Sequence, residues 1–329
     1  MDREVDGMDM TEESVKQISD TYAEILKAAQ HYVVGNEPLI KMTVIGILTE
    51  GAVLLEGVPG TAKTTIAKIM ANLLSSSFRR VQGAVDVQPA DILGVRIFSP
   101  ETGTFVLQKG PVFSNFLLVD EINRLTPKTQ SALLEAMSEH QVTIDGETYP
   151  LPKPYIVMAT QNPYEFEGTF SLVEAQRDRF MFSLPLSYLE ADDELEILRR
   201  DQAGRLQWAE YEASLTPLLT PQETARMIRV VRQIHTSDAI LRYIADIVDA
   251  TRNHGDIQLG ASSRGSLALL RGAKAHAALQ GRTYVIPDDV KAVAPAVLSH
   301  RLILEREALI GDVTTSGVVR EILQIVEVS

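Results

Sequence analysis

The stretch GVPGTAKTT, residues 57–65, decides the fold because it carries a phosphate-binding loop pattern. In the usual form, G-x-x-x-x-G-K-[ST], backbone N–H groups surround the phosphates and the lysine reaches them. Here Lys63 can reach the β- and γ-phosphates, and Thr64 can ligate Mg²⁺. The residue before the lysine is Ala62 where the pattern has glycine. The alternative is an ordinary Gly/Pro turn.

The flanks of this loop support the phosphate-binding interpretation. AVLLEG (52–57) is a short apolar run, typical of a buried parallel strand, and TTIAKIMANLLSS (64–76) has helical spacing. A strand before the loop and a helix after it are the context that the motif requires, and a helix N-terminus favours anions. We predict that Ala62 has a negative φ at the start of this helix, where alanine costs nothing.

Two further stretches end buried strands with polar residues. FLLVDEINR (116–124) places Asp120 and Glu121 at a carboxyl strand end, where open α/β sheets bind ligands. Asp120 can hold Mg²⁺ and Glu121 can polarise the attacking water; the alternative is a solvated strand end. In MATQNP (158–163), Asn162 can orient the lytic water, although Asn before proline is also common in turns.

Three arginines are candidates for contacts with phosphate. Arg177 and Arg179 lie in EAQRDRF (174–180), just before the last strand. An arginine can stabilise a transferring phosphoryl group, in its own subunit or in a neighbour; a surface salt bridge is the alternative. Arg264 lies at a predicted helix start in GASSR (260–264), which the helix dipole disfavours unless an anion is near.

The order of elements predicts an α/β half and a helical half. Residues 1–10 are predicted to be a polar tail, and residues 11–32 an amphipathic helix. NFLLVDE (115–121), YIVMATQNP (155–163) and FMFSLPL (180–186) add buried strands to AVLLEG, so we expect a parallel sheet. Residues 79–115 are expected to be loops and a hairpin near 97–112, and a second hairpin is predicted at 142–150. The predicted helices of the second half are roughly 191–202, 221–234, 237–252, 264–280 and 287–299.

Composition restricts the classes of function. The net charge of −13 argues against general affinity for nucleic acid, and the absence of cysteine excludes disulfides and thiolate metal sites. The six histidines show no metal-ligand spacing. The first residues lack an apolar signal region, and no apolar run is long enough to span a bilayer. We expect a cytoplasmic protein.

The motifs in this order resemble those of the MoxR family of AAA+ ATPases. GVPGTAKT, LLVDEINRLTPKTQSALLEAM and ATQNP carry the resemblance, which covers roughly residues 30–300. The family usually has alanine at position 62, as this chain does. This chain departs from the family at two positions: it has Ser263 where the family commonly has proline, and Arg177 where the family commonly has an apolar residue. The last departure leaves open whether Arg177 or Arg179 is the arginine finger.

The resemblance implies a role for each matching position. Asp120 and Glu121 would form Walker B, with Thr64 and Asp120 as the Mg²⁺ ligands. Asn162 would be sensor 1, Arg264 sensor 2, and Arg179 the arginine finger of a neighbouring subunit. The residues that would bind ATP are Val34, Gly35, Gly57, Val58, Pro59, Gly60, Thr61, Ala62, Lys63, Thr64, Thr65 and Arg264.

The resemblance also implies an architecture and partners. The fold would be a P-loop AAA+ core with a five-stranded parallel sheet, followed by a small all-α lid domain. Residues 1–30 would form a tail and helix, residues 31–187 the core with two hairpin inserts, and residues 188–329 the lid. A homo-hexamer would hydrolyse ATP with Mg²⁺ and remodel client proteins in complex assembly or metal-cofactor insertion. Its partners would carry von Willebrand factor A domains.

Two other functions stay open at the level of sequence. A nucleic-acid motor would need basic inserts. Residues 82–110 instead carry two basic against three acidic residues, and residues 138–155 carry one against three. A nucleotide-gated scaffold that does not hydrolyse ATP would lack hydrolytic groups, whereas Lys63, Asp120 and Glu121 are all present.

Overall fold

The computed structural model describes residues 10–57, 62–163 and 168–328. The described helices are α1 (Glu12–Tyr32), α2 (Glu37–Thr49), α3 (Lys63–Leu73), α4 (Pro89–Leu93), α5 (Pro127–Glu139), α6 (Glu174–Arg177), α7 (Ala191–Gln202), α8 (Trp208–Ser214), α9 (Pro221–Gln233), α10 (Asp238–Asn253), α11 (Ser263–Leu279), α12 (Pro287–Leu298), α13 (Arg306–Ile310) and α14 (Thr315–Ile325). The described strands are β1 (Val53–Gly57), β2 (Phe78–Gln82), β3 (Gly94–Ser99), β4 (Thr104–Lys109), β5 (Phe116–Asp120), β6 (Gln141–Ile144), β7 (Glu147–Pro150), β8 (Ile156–Gln161), β9 (Phe182–Leu186), β10 (Ile257–Leu259) and β11 (Ile303–Leu304). The predicted polar tail lies almost wholly outside the described residues.

A five-stranded parallel sheet in the order β2-β5-β8-β1-β9 confirms the predicted α/β architecture. All five residues of β5 are buried, and so are the first five of β8, which explains why both are continuous apolar runs. Because the strands are parallel, β1, β5 and β8 end at the same edge of the sheet. Gly57 at the end of β1 and the polar residues after β5 and β8 therefore lie at that edge.

Strand β2 was not predicted from the sequence. We expected residues 79–115 to be loops and a hairpin, whereas Phe78–Gln82 pairs in parallel with β5 along its whole length. The strand lies at one end of the sheet, and Arg79, Arg80 and Gln82 are exposed while Val81 is buried. An edge strand with charged side chains gives no apolar run, so its sequence does not reveal it.

Both predicted hairpins are confirmed. Strands β3 and β4 form the first, and β6 and β7 form the second, with Ile144 paired to Glu147 across the turn. Asp145 and Gly146 both have positive φ, as a two-residue hairpin turn requires. Arg96 of the first hairpin donates to Glu147 of the second at 2.7 Å, so an ion pair links the two.

The chain packs as two compact units, one spanning Ile25–Pro221 and the other combining residues up to Glu24 with the chain from Gln222 onward. Helices α7 and α8 belong to the unit that holds the sheet. Tyr211 of α8 donates to the Ala28 carbonyl at 2.7 Å, and this contact helps to fix α8 there. The predicted division into residues 1–30, 31–187 and 188–329 stays a prediction.

The second unit is mostly helical, and a short antiparallel pair of β10 with β11 is its only sheet among the described residues. Of the five helices predicted from the sequence for the second half, α9 to α12 lie in this unit, whereas α7 belongs to the unit that holds the sheet. Across the described ranges, no helix combines enough length with enough apolar character to span a bilayer.

A buried carboxylate joins α11 to α12 in the helical unit. Asp289 is fully buried and accepts two hydrogen bonds from Arg282, at 2.7 and 2.6 Å. It also accepts one from the Ile286 backbone at 2.8 Å and contacts His276 Nδ1 at 2.6 Å. Burial raises the pKa of Asp289, but the hydrogen bonds outweigh burial and hold it at about 2. The carboxylate therefore stays ionised and paired at neutral pH.

Candidate nucleotide and magnesium site

The carboxylate of Asp120 accepts hydrogen bonds from three elements. It ends β5 and is 7% exposed. Its Oδ1 accepts the Thr160 hydroxyl at 3.0 Å, and its Oδ2 accepts Arg80 Nε at 2.7 Å and the Thr64 hydroxyl at 3.3 Å. The bonds from β8, β2 and α3 fix the carboxylate at the carboxyl edge of the sheet.

Thr160 connects both Asp120 and Glu121 to the neighbouring strand. Its Oγ1 donates to Asp120 and accepts from the Glu121 backbone N–H at 2.9 Å. Sequence reasoning selected Asn162 from this stretch and missed Thr160. Side chains two residues apart on a strand lie on the same face, so the alternation of β8 could have identified it.

The chain turns sharply directly after β5. Glu121 has φ 55°, a left-handed conformation that costs a non-glycine residue roughly 1–2 kcal/mol. Its carboxylate is a third exposed and lies 3.3 Å from the Arg124 guanidinium. Gly83 packs against this turn: its N–H donates to the Asp120 carbonyl at 2.7 Å, and a Cβ there would lie 2.1 Å from the Glu121 carbonyl oxygen. Only glycine fits at that position.

The side chain of Lys63 extends back toward Gly57, at the end of β1. Lys63 begins α3, and its Nζ donates to the Gly57 carbonyl at 2.8 Å. Burial lowers the pKa of Lys63, and the negative charges of Asp120 and Glu121 partly offset that effect. Val58, Pro59, Gly60 and Thr61, which we predicted to bind phosphate, lie outside the described residues.

The prediction for Ala62 was wrong. Its φ is 57° and its ψ is 15°, so the residue before the lysine is left-handed. Helix α3 begins at Lys63, and Ala62 is the N-cap at which the chain turns from the loop into the helix. The glycine of the usual pattern suits this turn, and alanine keeps it at a cost of roughly 1–2 kcal/mol.

The remaining predicted residues of the sheet-containing unit lie in or beside α3, β8 and α2. Thr65 is half-buried in the first turn of α3, and Asn162 follows β8, its carbonyl 3.4 Å from the Asn123 amide. Val34 is buried before α2. Gly35 has φ +64°, and a Cβ there would lie 2.6 Å from Asp193 of α7.

The two arginines of EAQRDRF have different surroundings. Arg177 donates to Glu56 of β1 at 3.2 Å, and the same Glu56 oxygen accepts the Ser183 hydroxyl at 3.0 Å. Arg179 is exposed, and its guanidinium lies at the 3.5 Å limit from the Ala175 carbonyl. Arg177 is therefore held within its own subunit, whereas Arg179 faces solvent.

Arg264 belongs to the helical unit. It lies in the first turn of α11, where the Ser262 side chain caps the helix by accepting the Arg264 N–H at 3.1 Å. The side chain is exposed. This placement agrees with the predicted helix start.

Comparison with known proteins identifies the family of this chain. Residues 52–182 match the ATPase family associated with various cellular activities (AAA), and residues 249–322 match the AAA lid domain. The chain is 39% identical to chaperone MoxR1 of Mycobacterium tuberculosis, over 89% of this chain and 78% of that protein. The chain belongs to the MoxR family of AAA+ ATPases.

Two other proteins are similar to this MoxR-family chain over nearly their whole length. The uncharacterized protein YeaC of Bacillus subtilis is 42% identical over 92% of this chain and 94% of its own. The crystal structure of a Cytophaga hutchinsonii protein with a provisional ATPase assignment superposes with a TM-score of 0.88 at 39% identity. That superposition covers 97% of this chain and 98% of the other.

Oxygen ligands at the edge of the sheet fit a hard divalent cation. The Thr64 hydroxyl and Asp120 Oδ2 lie 3.3 Å apart, and both are ligand types that Mg²⁺ prefers. Lys63 begins the helix that carries Thr64, and its ammonium group would supply a cation for phosphate. The described residues thus fit an Mg²⁺–nucleotide complex, with Thr64 and Asp120 as the metal-holding pair.

Replacing Ala62 by glycine is expected to stabilise the protein. Glycine removes the left-handed strain of roughly 1–2 kcal/mol. The greater freedom of glycine in the unfolded chain lowers the free energy of unfolding by about 0.4–1 kcal/mol. We expect the free energy of unfolding to rise by roughly 0.5–1 kcal/mol, measured by urea unfolding. The matched control is Ala132→Gly in the middle of α5, which should lower it by about 1 kcal/mol. If both variants were equally destabilised, Ala62 would carry no strain.

Proposed function

We propose that this protein is a Mg²⁺-dependent ATPase that works as a ring, most simply a homo-hexamer, and remodels client proteins. The observation that carries the proposal is the clamp in which Thr160 binds both Asp120 and Glu121, while Thr64 contacts the same Asp120 carboxylate. Bound Mg²⁺ would neutralise charge that develops on the phosphates. The protein groups for metal holding and for base catalysis are thereby adjacent.

Each residue of the site has a task in this mechanism. Lys63 binds phosphate oxygens in place of the Gly57 carbonyl that it now contacts. Thr64 and Asp120 hold the metal. Glu121 accepts a proton from the attacking water, and Asn162 orients that water. Arg264 is assigned the role of sensor 2, and Val34 and Gly35 border the adenine.

We propose Arg179 as the arginine finger that enters the site of the neighbouring subunit. Its exposure supports this assignment, since a finger must reach beyond its own chain. Arg177 is less suited because it is bound to Glu56 at 3.2 Å.

The exposed apolar surface of the first hairpin supports work on proteins. Phe98 and Phe105 are 56% and 60% exposed and pack edge-to-face across β3 and β4, with ring centroids 5.6 Å apart. Ile97 is also largely exposed. Exposed apolar patches mark surfaces that bind other proteins. Residues 82–110 and 138–155, which contain the two hairpins, carry more acidic than basic side chains, and this balance disfavours a nucleic-acid motor. Tight, steeply salt-dependent binding of single-stranded DNA would support such a motor instead.

The client is proposed at the level of a class. The family resemblance supports complex assembly or metal-cofactor insertion, with partners that carry a von Willebrand factor A domain. Co-elution of such a protein with the Glu121→Gln variant in ATP tests the partner class. Cytoplasmic location stays a prediction.

Glu121→Gln is expected to abolish hydrolysis while leaving nucleotide binding intact. Loss of a general base typically lowers kcat about 10²–10⁴-fold, and the amide keeps the size of the side chain. Phosphate release gives kcat, and a fluorescent ATP analogue gives the affinity. The control is Glu101→Gln, an exposed carboxylate in the β3–β4 turn, which should change neither. Unaffected phosphate release in Glu121→Gln would favour the non-hydrolysing scaffold.

Arg179→Ala is expected to lower kcat by about 10³-fold or more, because a finger supplies that much stabilisation to the transition state. Arg177→Ala should keep most of the activity and lose only the ion pair with Glu56. An equimolar mixture of Arg179→Ala and Glu121→Gln subunits should regain activity, since an intact site then meets an intact finger. No recovery in assembled mixed rings would place the finger elsewhere.

Replacing both hairpin aromatics, Phe98→Ser with Phe105→Ser, is expected to weaken client binding and leave the basal ATPase rate within about twofold. The probe is fluorescein-labelled casein, an unfolded protein, bound to Glu121→Gln rings in ATP and followed by anisotropy. The control removes exposed apolar surface elsewhere, through Leu309→Ser and Ile310→Ser. Equal casein affinity in both variants would contradict a role for the hairpin.

A further inference from the structure

Arg80 contacts Asp120 at the carboxyl edge of the sheet, although none of the motifs in the sequence contains this arginine. It lies in β2, next to β5, and its Nε donates to Asp120 Oδ2 at 2.7 Å. Its Nη2 donates to Gln82 Oε1 at 2.7 Å. The guanidinium is therefore bound at two points, which restricts its orientation.

The oxygen that Arg80 binds is the one turned toward Thr64. Asp120 Oδ2 lies 3.3 Å from the Thr64 hydroxyl, whereas Oδ1 is taken by Thr160. A cation held by Thr64 and Asp120 has to share this Oδ2 atom with Arg80. Two positive charges close to one carboxylate oxygen repel each other, so each weakens the binding of the other.

Exposure makes this arrangement reversible. The Arg80 side chain is 47% exposed, whereas that of Asp120 is 10% exposed. The half-exposed guanidinium can exchange the carboxylate for water, and a cation bound at Asp120 would then replace its charge beside the nearly buried oxygen. The carboxylate cannot leave, since Thr160 and the end of β5 hold it.

We propose that Arg80 is a positioning residue that competes with Mg²⁺ for Asp120. It holds the carboxylate toward Thr64 and gives the oxygen up to the metal when Mg²⁺ and nucleotide bind together. The protein then needs a higher Mg²⁺ concentration for tight nucleotide binding than the carboxylate alone would require. This inference rests on the proposed nucleotide site but not on hydrolysis.

The neighbouring arginine provides a matched control. Arg79 has the same charge on the same strand, but adjacent strand residues point to opposite faces. Its guanidinium is near only the Phe78 carbonyl, at 3.4 Å, among the contacts of the described residues. Removing Arg79 changes the net charge equally and leaves Asp120 untouched.

The test measures Mg²⁺ dependence of binding without turnover. Methylanthraniloyl-ADP fluorescence is titrated with MgCl₂ from an EDTA baseline for wild type, Arg80→Gln, Arg80→Lys and Arg79→Gln. We expect the Mg²⁺ midpoint of Arg80→Gln to fall about two- to fivefold, with Arg79→Gln at the wild-type value and Arg80→Lys in between. Equal affinity for the analogue at saturating Mg²⁺ shows that the variants are folded.

The outcomes separate this inference from the proposed function. A midpoint for Arg80→Gln that is unchanged, higher, or matched by Arg79→Gln overturns the competition while leaving the nucleotide site intact. Wild-type protein that binds no analogue at any Mg²⁺ concentration overturns both. A lowered midpoint together with absent phosphate release supports Arg80 competition and rejects only hydrolysis.

Discussion

The site depends on one nearly buried carboxylate. Asp120 is 7% exposed and accepts hydrogen bonds from Thr64, Arg80 and Thr160. Each donor belongs to a different element, so a single acceptor aligns the phosphate-loop helix, the edge strand β2 and the central strand β8. Leaving a buried charge without such donors would cost several kcal/mol, which makes the alignment part of the stability of the fold.

Two of the eight non-glycine residues with positive φ in the described part of the chain flank the site, one at the start of α3 and one directly after β5. Ala62 and Glu121 both have left-handed φ, although neither residue favours it. Strain of this kind persists where the surroundings determine the backbone, and it concentrates at functional sites. At Glu121 the surroundings are visible: Thr160 binds its N–H, and Gly83 packs against its carbonyl.

The sequence predicts what depends on local pattern. Apolar runs identified β1, β5, β8 and β9, and the Asp145–Gly146 pair identified a hairpin turn. Patterns do not reveal residues whose role comes from a neighbouring strand. Thr160 looks like an ordinary strand threonine until β8 lies beside β5, and the φ of Ala62 depends on where α3 begins. The motifs predicted the place of the site but not its supporting contacts.

The position of β2 at the edge of the sheet explains both why this strand was not predicted and how Arg80 reaches Asp120. A central strand would have both faces covered and could not carry two adjacent arginines without burying their charge. At the edge, Arg79 and Arg80 stay exposed, so β2 lacks the apolar run from which a buried strand is predicted. The same exposure lets Arg80 reach across to Asp120 while its charge remains partly solvated. A strand that looks like a loop in the sequence can for that reason place a half-exposed guanidinium beside a nearly buried carboxylate.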